Sequence, residues 1–173
     1  MPYIDIEITA EMLGAAAGAV DAVKVNRTVA SPYDTLAGLI GELAFAQWFI
    51  GDWRLHNFLD TKGKADFLDR IEVKTSAFPF RDTLNLLVRE DYAAKRKPEA
   101  YVQTIIDIPN RDASKLEPGL VCRIAGWTTS AAVDAAPLRD FGAKGGGRGG
   151  YRCHHIQIRN LSPMQTFPIA REA

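Results

Sequence analysis

Up to Ile50 the apolar residues of this chain recur at helical spacing, and from Trp53 to Ile124 they do not. That change constrains the fold more than any single motif. A face of period 3.6 suits a helix, and a face of period 2 suits a strand. Ser31 is a hydroxyl N-cap, Pro32 suits the first helical position, and Asp34 puts a carboxylate in the first turn. Behind them, "YDTLAGLIGELAFAQWFI" places Leu36, Leu39, Ile40, Leu43, Ala46 and Ile50 on one stripe. Phe45, Trp48 and Phe49 cover much of the rest, and Gly51-Asp52 ends the helix. An alanine-rich stretch from Ile8 to about Val25 reads as an earlier helix.

After Trp53 the segments read as strands. "RLHNFLD" is a short candidate, and "ADFL" and "RIEVKTSA" follow with only Asp69 between them. "TLNLLV", "AYVQTIIDI", "LVCRIAGW" and "YRCHHIQIRNL" are further strands, the second β-branched enough to be central. "DYAAKRK" reads as a short basic helical turn stopped at Pro98, and "TTSAAVDAAPL" as a short helix with hydroxyl caps. Pro109–Pro118 is a polar loop, and "GAKGGGRGG", Gly142–Gly150, reads as an irregular loop. The 173 residues show no repeat and no linker. The expectation is one α/β domain, a mixed β-sheet flanked by helices.

The N-terminus carries acids where a signal peptide carries positive charge, and no apolar run approaches the roughly 20 residues of a membrane helix. Two cysteines, Cys122 and Cys153, read as reduced thiols, so a cytoplasmic protein with no membrane partner is expected. The net charge of zero argues against a strongly basic surface, yet the charge is uneven. Residues 1–60 hold eight acids and three bases; residues 138–171 hold six bases and one acid. Either this is a solvated surface balanced elsewhere, or Lys144, Arg148, Arg152 and Arg159 line a path for nucleic acid.

The chemistry concentrates in "GKADFLDRIEVKTS", Gly63–Ser76. Residues two apart on a strand share a face, so Glu72 and Lys74 point together and Val73 points to the buried side. If a tight hairpin turns at Asp69, then Asp66 and Glu72 lie directly opposed, with Cβ atoms about 4.5–5.5 Å apart. Two carboxylates so placed repel unless a cation lies between them, and both are hard oxygen ligands suited to Mg²⁺ or Mn²⁺. Glu42 sits among apolar helical turns, where an ionised carboxylate needs a partner. If its helix packs on the hairpin, it is a third acid at the same centre. Lys74 beside such acids can orient an attacking water, hold a scissile phosphate or stabilise developing negative charge. An acid and a lysine alternating on a strand are also a common solvated pair. The full set is more specific: an acid in an apolar helix, an acid before a tight turn, then "IEVKTS".

The set Gly41-Glu42, Asp66 and Glu72-Val73-Lys74 resembles the PD-(D/E)XK, or restriction-endonuclease-like, nuclease superfamily over roughly residues 31–127. The departure is Ala65, where the named pattern has proline. The resemblance implies a restriction-endonuclease-like fold, one or two Mg²⁺ (or Mn²⁺) ions held by Asp66, Glu72 and Glu42, Lys74 as the catalytic cation, and cleavage of DNA or RNA. A metal-dependent nuclease acting on DNA is therefore the leading expectation, and a homodimer the expected form for cutting both strands. The same resemblance admits an inactive nuclease-like fold that binds nucleic acid or a protein partner. An unrelated α/β interaction protein would leave Glu42 exposed or unpaired. Gln103 either touches the cation site or is a satisfied buried amide. Thr75 either contacts a phosphate or finishes its strand. Cys122, Cys153, His154 and His155 have no zinc spacing and read as core or surface residues.

Overall fold

The computed structural model describes residues 3–23, 31–58, 64–142 and 151–171. Its elements are β1 (Ile4–Glu7), α1 (Ala10–Val23), α2 (Pro32–Phe49), β2 (Ile71–Phe78), β3 (Asn85–Arg89), α3 (Glu90–Lys95), β4 (Ala100–Asp107), β5 (Val121–Thr128), α4 (Ser130–Ala135), β6 (Leu138–Asp140) and β7 (Arg152–Gln157). One sheet has the order β1-β5-β4-β2, and a second has β3-β7-β6. In the first, β2 runs parallel to β4 while β5 is antiparallel to both β4 and β1, so the sheet is mixed. The second sheet is antiparallel. A single α/β domain with a mixed sheet and helices is thus the observed class. Among the described residues, no helix is long and apolar enough to cross a membrane.

The long helix starts where its signals place it. Ser31 Oγ accepts from Asp34 N–H at 3.1 Å, and Asp34 Oδ2 accepts from Ser31 N–H at 3.4 Å, a reciprocal capping box. It ends at Gly51, whose φ of +94° costs a residue without Cβ little. Between these ends α2 is apolar almost all round because it is covered on several sides. Ile40, Leu43 and Ala44 pack with Met12 and Ala16 of α1 and with Ile106 and Cys122 of the sheet. Phe45, Ala46 and Phe49 pack with Ile71, Val73, Val102 and Ile124. The opposite face of the first sheet, with Tyr101 and Ile105, is covered by Leu86 and Val88 of β3, Ala93 of α3 and Val133 of α4. Seven of the eight residues of β4 are buried, as expected for a strand covered on both faces.

Two expected strands are absent. The described part of "RLHNFLD" is one 3₁₀ turn, Trp53–Leu55, capped by Asp52, whose carboxylate accepts from Arg54 N–H at 3.0 Å. A local cap satisfies the backbone there more directly than a ladder would. "ADFL" is not a strand antiparallel to "RIEVKTS": it makes one bridge, Phe67 to Ile71. Leu68 and Asp69 have φ of 55° and 53°, so two successive left-handed residues reverse the chain at once. The symmetry about Asp69 holds for that single pair, and β2 takes its ladder from β4 instead. Conversely, β1 and β6 were not expected. Four and three residues are too few to show a period.

Gly41 sets how closely α2 lies on β2. A Cβ there would come within 1.8 Å of Thr75 Oγ1, 2.7 Å of Thr75 Cβ and 2.7 Å of Thr104 Oγ1. Both threonines are β-branched strand residues with little room to turn. Gly41→Ala should therefore lower unfolding free energy by about 1–3 kcal/mol and push Glu42 away from β2. Denaturant unfolding of the variant checks this; an unchanged midpoint would contradict the packing.

Candidate active site

Because β2 is an edge strand, its free side must be closed by something other than a ladder. Asp66 does part of this: its Oδ2 accepts from Val73 N–H at 2.8 Å. The single bridge at Phe67 brings the carboxylate there, rather than a cross-strand pairing with Glu72. The side chains of β2 alternate about this point. Ile71 and Val73 go into the α2 side of the core. Glu72 and Lys74 lie on the other face, level with Tyr101 and Gln103 of β4. The side chain of Glu72 is 9% exposed and that of Lys74 is 27% exposed, so this is a recessed pair and not a wetted strand face.

Lys74 Nζ donates to Glu72 Oε1 at 3.1 Å. The same oxygen accepts from Tyr92 Oη at 2.6 Å, and Lys74 Nζ stands 4.1 Å from the centroid of the Tyr92 ring. Tyr92 comes from α3. Burial, followed by the charge of Glu72, pushes its hydroxyl far above the usual tyrosine range, so it stays a donor. Glu72 is therefore held by two donors, and Lys74 by a carboxylate and a ring face.

Glu42 follows Gly41 on α2 and is linked to the same centre. Burial first, and then the charge of Glu72, raise its carboxyl to about 8; a hydrogen bond with Asp66 and the Lys74 charge pull it partly back. Asp66 is raised well above the carboxylate range by burial, then by Glu42 and Glu72, against the Val73 N–H and Lys74. Glu42 Oε2 also lies 2.8 Å from His56 Nε2. The His56 ring is stacked on Phe67, with centroids 4.3 Å apart and planes 15° apart. Burial lowers His56 to about 4, so at neutral pH this contact joins a neutral imidazole and a carboxyl and is not an ion pair; the imidazole tautomer decides which of them donates.

Three carboxyl groups, Glu72 buried and Glu42 and Asp66 half-buried, thus stand beside one lysine. Burial first, and then the excess of negative charge that three ionised carboxyls would place beside one lysine, make the carboxyls of Glu42 and Asp66 hold their protons tightly. The donor set is all hard oxygen, which fits Mg²⁺ or Mn²⁺. Among the described residues, no three acid, histidine or cysteine side chains converge as a ready-made cation cage. Asp66 is turned to the Val73 amide, Glu72 to Tyr92 and Lys74, and Glu42 to His56.

Of the other residues singled out in the sequence, Gln103 is 1% exposed, and its Nε2 donates to Thr104 O at 2.8 Å beside the irregularity between β4 and β5. That is a satisfied buried amide, directly across the β2–β4 register from Lys74. Thr75 is turned to the α2 side of the sheet, away from the face that carries Glu72 and Lys74. Its hydroxyl lies 2.8 Å from Thr104 Oγ1 in the seam beneath Gly41, because position 75 shares the face of Val73. Arg152 is exposed and pairs with Glu90 at 3.6 Å, and Arg159 Nε donates to Gln157 at 2.7 Å. Lys144 and Arg148 lie outside the described residues. Cys122 and Cys153 are buried free thiols in different sheets. Sequence reasoning missed His56 and Tyr92. The signal available for Tyr92 was an aromatic residue in a basic helical turn, and for His56 a histidine in a stretch of unclear period. Neither names Glu72 or Glu42 as partner.

No family model, no curated protein and no solved structure matches this chain.

Proposed function

We propose that this protein is a metal-dependent nuclease that hydrolyses phosphodiester bonds of DNA, with a restriction-endonuclease-like arrangement of its mixed sheet. The observation that carries the reading is the recessed group of Glu42, Asp66 and Glu72 at the edge of β2, Glu72 buried and the other two half-buried, with Lys74 beside it. Asp66, Glu72 and Glu42 would hold Mg²⁺ or Mn²⁺, which when bound supplies Lewis acidity toward the phosphate and an oriented water. Lys74 would stabilise the negative charge that develops on the phosphate oxygens. Tyr92 positions this lysine and Glu72 together, and His56 positions Glu42. Burial strengthens each of these interactions relative to water.

A second reading, a nuclease-like fold that only binds nucleic acid or a protein partner, is favoured by one observation: each carboxyl already has an internal hydrogen-bond partner. The two separate in one assay. Plasmid, single-stranded and branched DNA are incubated with Mg²⁺, Mn²⁺ or chelator, beside a calorimetric Mn²⁺ titration. The nuclease reading expects cation-dependent cleavage and a saturable Mn²⁺ site. Absence of both leaves the binding-only reading in its place.

A further inference from the structure

The cations around α3 are nearly all matched to acids. Arg89 pairs with Asp91 at 3.1 Å, Lys97 with Asp134 at 2.8 Å, Arg152 with Glu90 at 3.6 Å, and Arg70 with Glu99 at 2.7 Å. Arg96 is different. It is the C-terminal cap residue of α3, and its backbone N–H bonds to Tyr92 O at 2.9 Å. Its side chain is half-buried, and no carboxylate partner stands against it among the described residues. The guanidinium carbon lies 5.3 Å from the centroid of the Tyr92 ring, the ring that also holds Lys74 Nζ at 4.1 Å. One ring therefore carries two cations, and the carboxylate at its hydroxyl end, Glu72, is taken by Lys74. One positive charge is left over beside the candidate site. A ring face takes up none of the N–H fork of a guanidinium as a carboxylate would, so that fork, matched to two phosphate oxygens, is open to a ligand.

We propose that Arg96 is a phosphate-binding subsite that takes a backbone phosphodiester of the nucleic acid next to the one presented to Lys74. This deepens the nuclease reading and rests on it for the substrate class, but it makes a claim about binding that needs no cleavage. Tyr92 is the shared support. By bonding Glu72 and carrying both cations, it sets the spacing between the lysine that faces the reacting phosphate and the arginine that holds its neighbour.

The test is equilibrium binding of a fluorescent DNA duplex across a salt series, in Ca²⁺ so that affinity is read without turnover, for wild type, Arg96→Gln and Arg96→Lys. Loss of one phosphate contact should reduce the slope of log affinity against log salt by about 0.9 in Arg96→Gln. Affinity at low salt should fall about tenfold or more, the loss expected for a charged hydrogen bond. Arg96→Lys keeps the charge without the fork, so it should keep the slope and recover part of the affinity. A residue that only packed on Tyr92 would leave the slope alone, and an unchanged slope in Arg96→Gln overturns the proposal, as does a wild type with no affinity for the duplex. Wild type that binds with the expected slope but cuts nothing under Mg²⁺ or Mn²⁺ removes the nuclease reading and leaves the subsite standing. In a protein that does cut, the Arg96→Gln loss should fall on KM more than on kcat.

Discussion

Lys74→Ala should lose about 10²–10⁴ in the rate of cation-dependent cleavage while its Mn²⁺ affinity stays near that of wild type. An ammonium is not a cation ligand, and Lys74 Nζ makes its contacts with Glu72 Oε1 and the face of Tyr92. The carboxyl variants should behave differently. Asp66→Ala and Glu72→Ala should lose cleavage and Mn²⁺ affinity together, because they remove oxygen donors. Glu72→Ala also strips Lys74 and Tyr92 of their shared acceptor, so Glu72→Gln is the cleaner variant: it keeps a polar side chain of the same length and removes the charge. Calorimetric Mn²⁺ titration beside a single-turnover cleavage assay reads both quantities. A Lys74→Ala protein that cuts at the wild-type rate would end the proposed role of the lysine.

The second large effect is on stability in the absence of divalent cations. Glu42 is raised from 4.5 to about 8 in the folded protein, chiefly by burial and then by Glu72. A carboxyl that holds its proton more tightly when folded makes the folded state lose stability as pH rises from the unfolded value toward the folded one. His56 acts in the opposite sense. Its folded value is lowered from 6.5 to about 4, so the stability it withholds in acid returns as pH rises toward 6.5. The two effects oppose each other below pH 6.5. Between pH 6.5 and 8 only the carboxyl effect remains; Asp66, also raised by burial, shifts in the same direction as Glu42.

In chelator, unfolding free energy should therefore fall through that window by roughly 2 kcal/mol for Glu42 alone, at about 1.4 kcal/mol per pH unit. Glu42→Gln should flatten the fall and be more stable than wild type at pH 8. Added Mn²⁺ should restore wild type at pH 8 more than it restores Glu42→Gln. Denaturant titrations at three pH values decide it; a flat wild-type profile from pH 6.5 to 8 would mean that Glu42 is ionised in the folded protein.

Much of the site was legible as residue type and local order. The α2 boundaries followed from Ser31, Pro32 and Asp34, since a capping box is satisfied within one turn. Glu42 stood out because a carboxyl among apolar turns needs a partner. Glu72 and Lys74 fell on one face because strand alternation depends only on neighbours in sequence. The assumed hairpin put Asp66 near Glu72 for a reason that only half survived: the reversal at Asp69 is real, but two left-handed residues close it in one bridge.

The sequence by itself determined the change from helical to strand periodicity after the long helix, the caps of that helix, and the chemical identity of three acids and one lysine. These are set by periods of 3.6 and 2 and by hydrogen bonds that span a few residues. Only the tertiary structure decided that β2 lies at the edge of its sheet, parallel to β4, so that Asp66 closes the free amide of Val73. It also decided that Tyr92, 20 residues along the chain, donates to Glu72, and that His56 meets Glu42. Such contacts join segments whose pairing depends on how whole faces bury against one another. No local pattern encodes that choice, because the free energy that selects it comes from apolar area contributed by α2, β4 and β3 together.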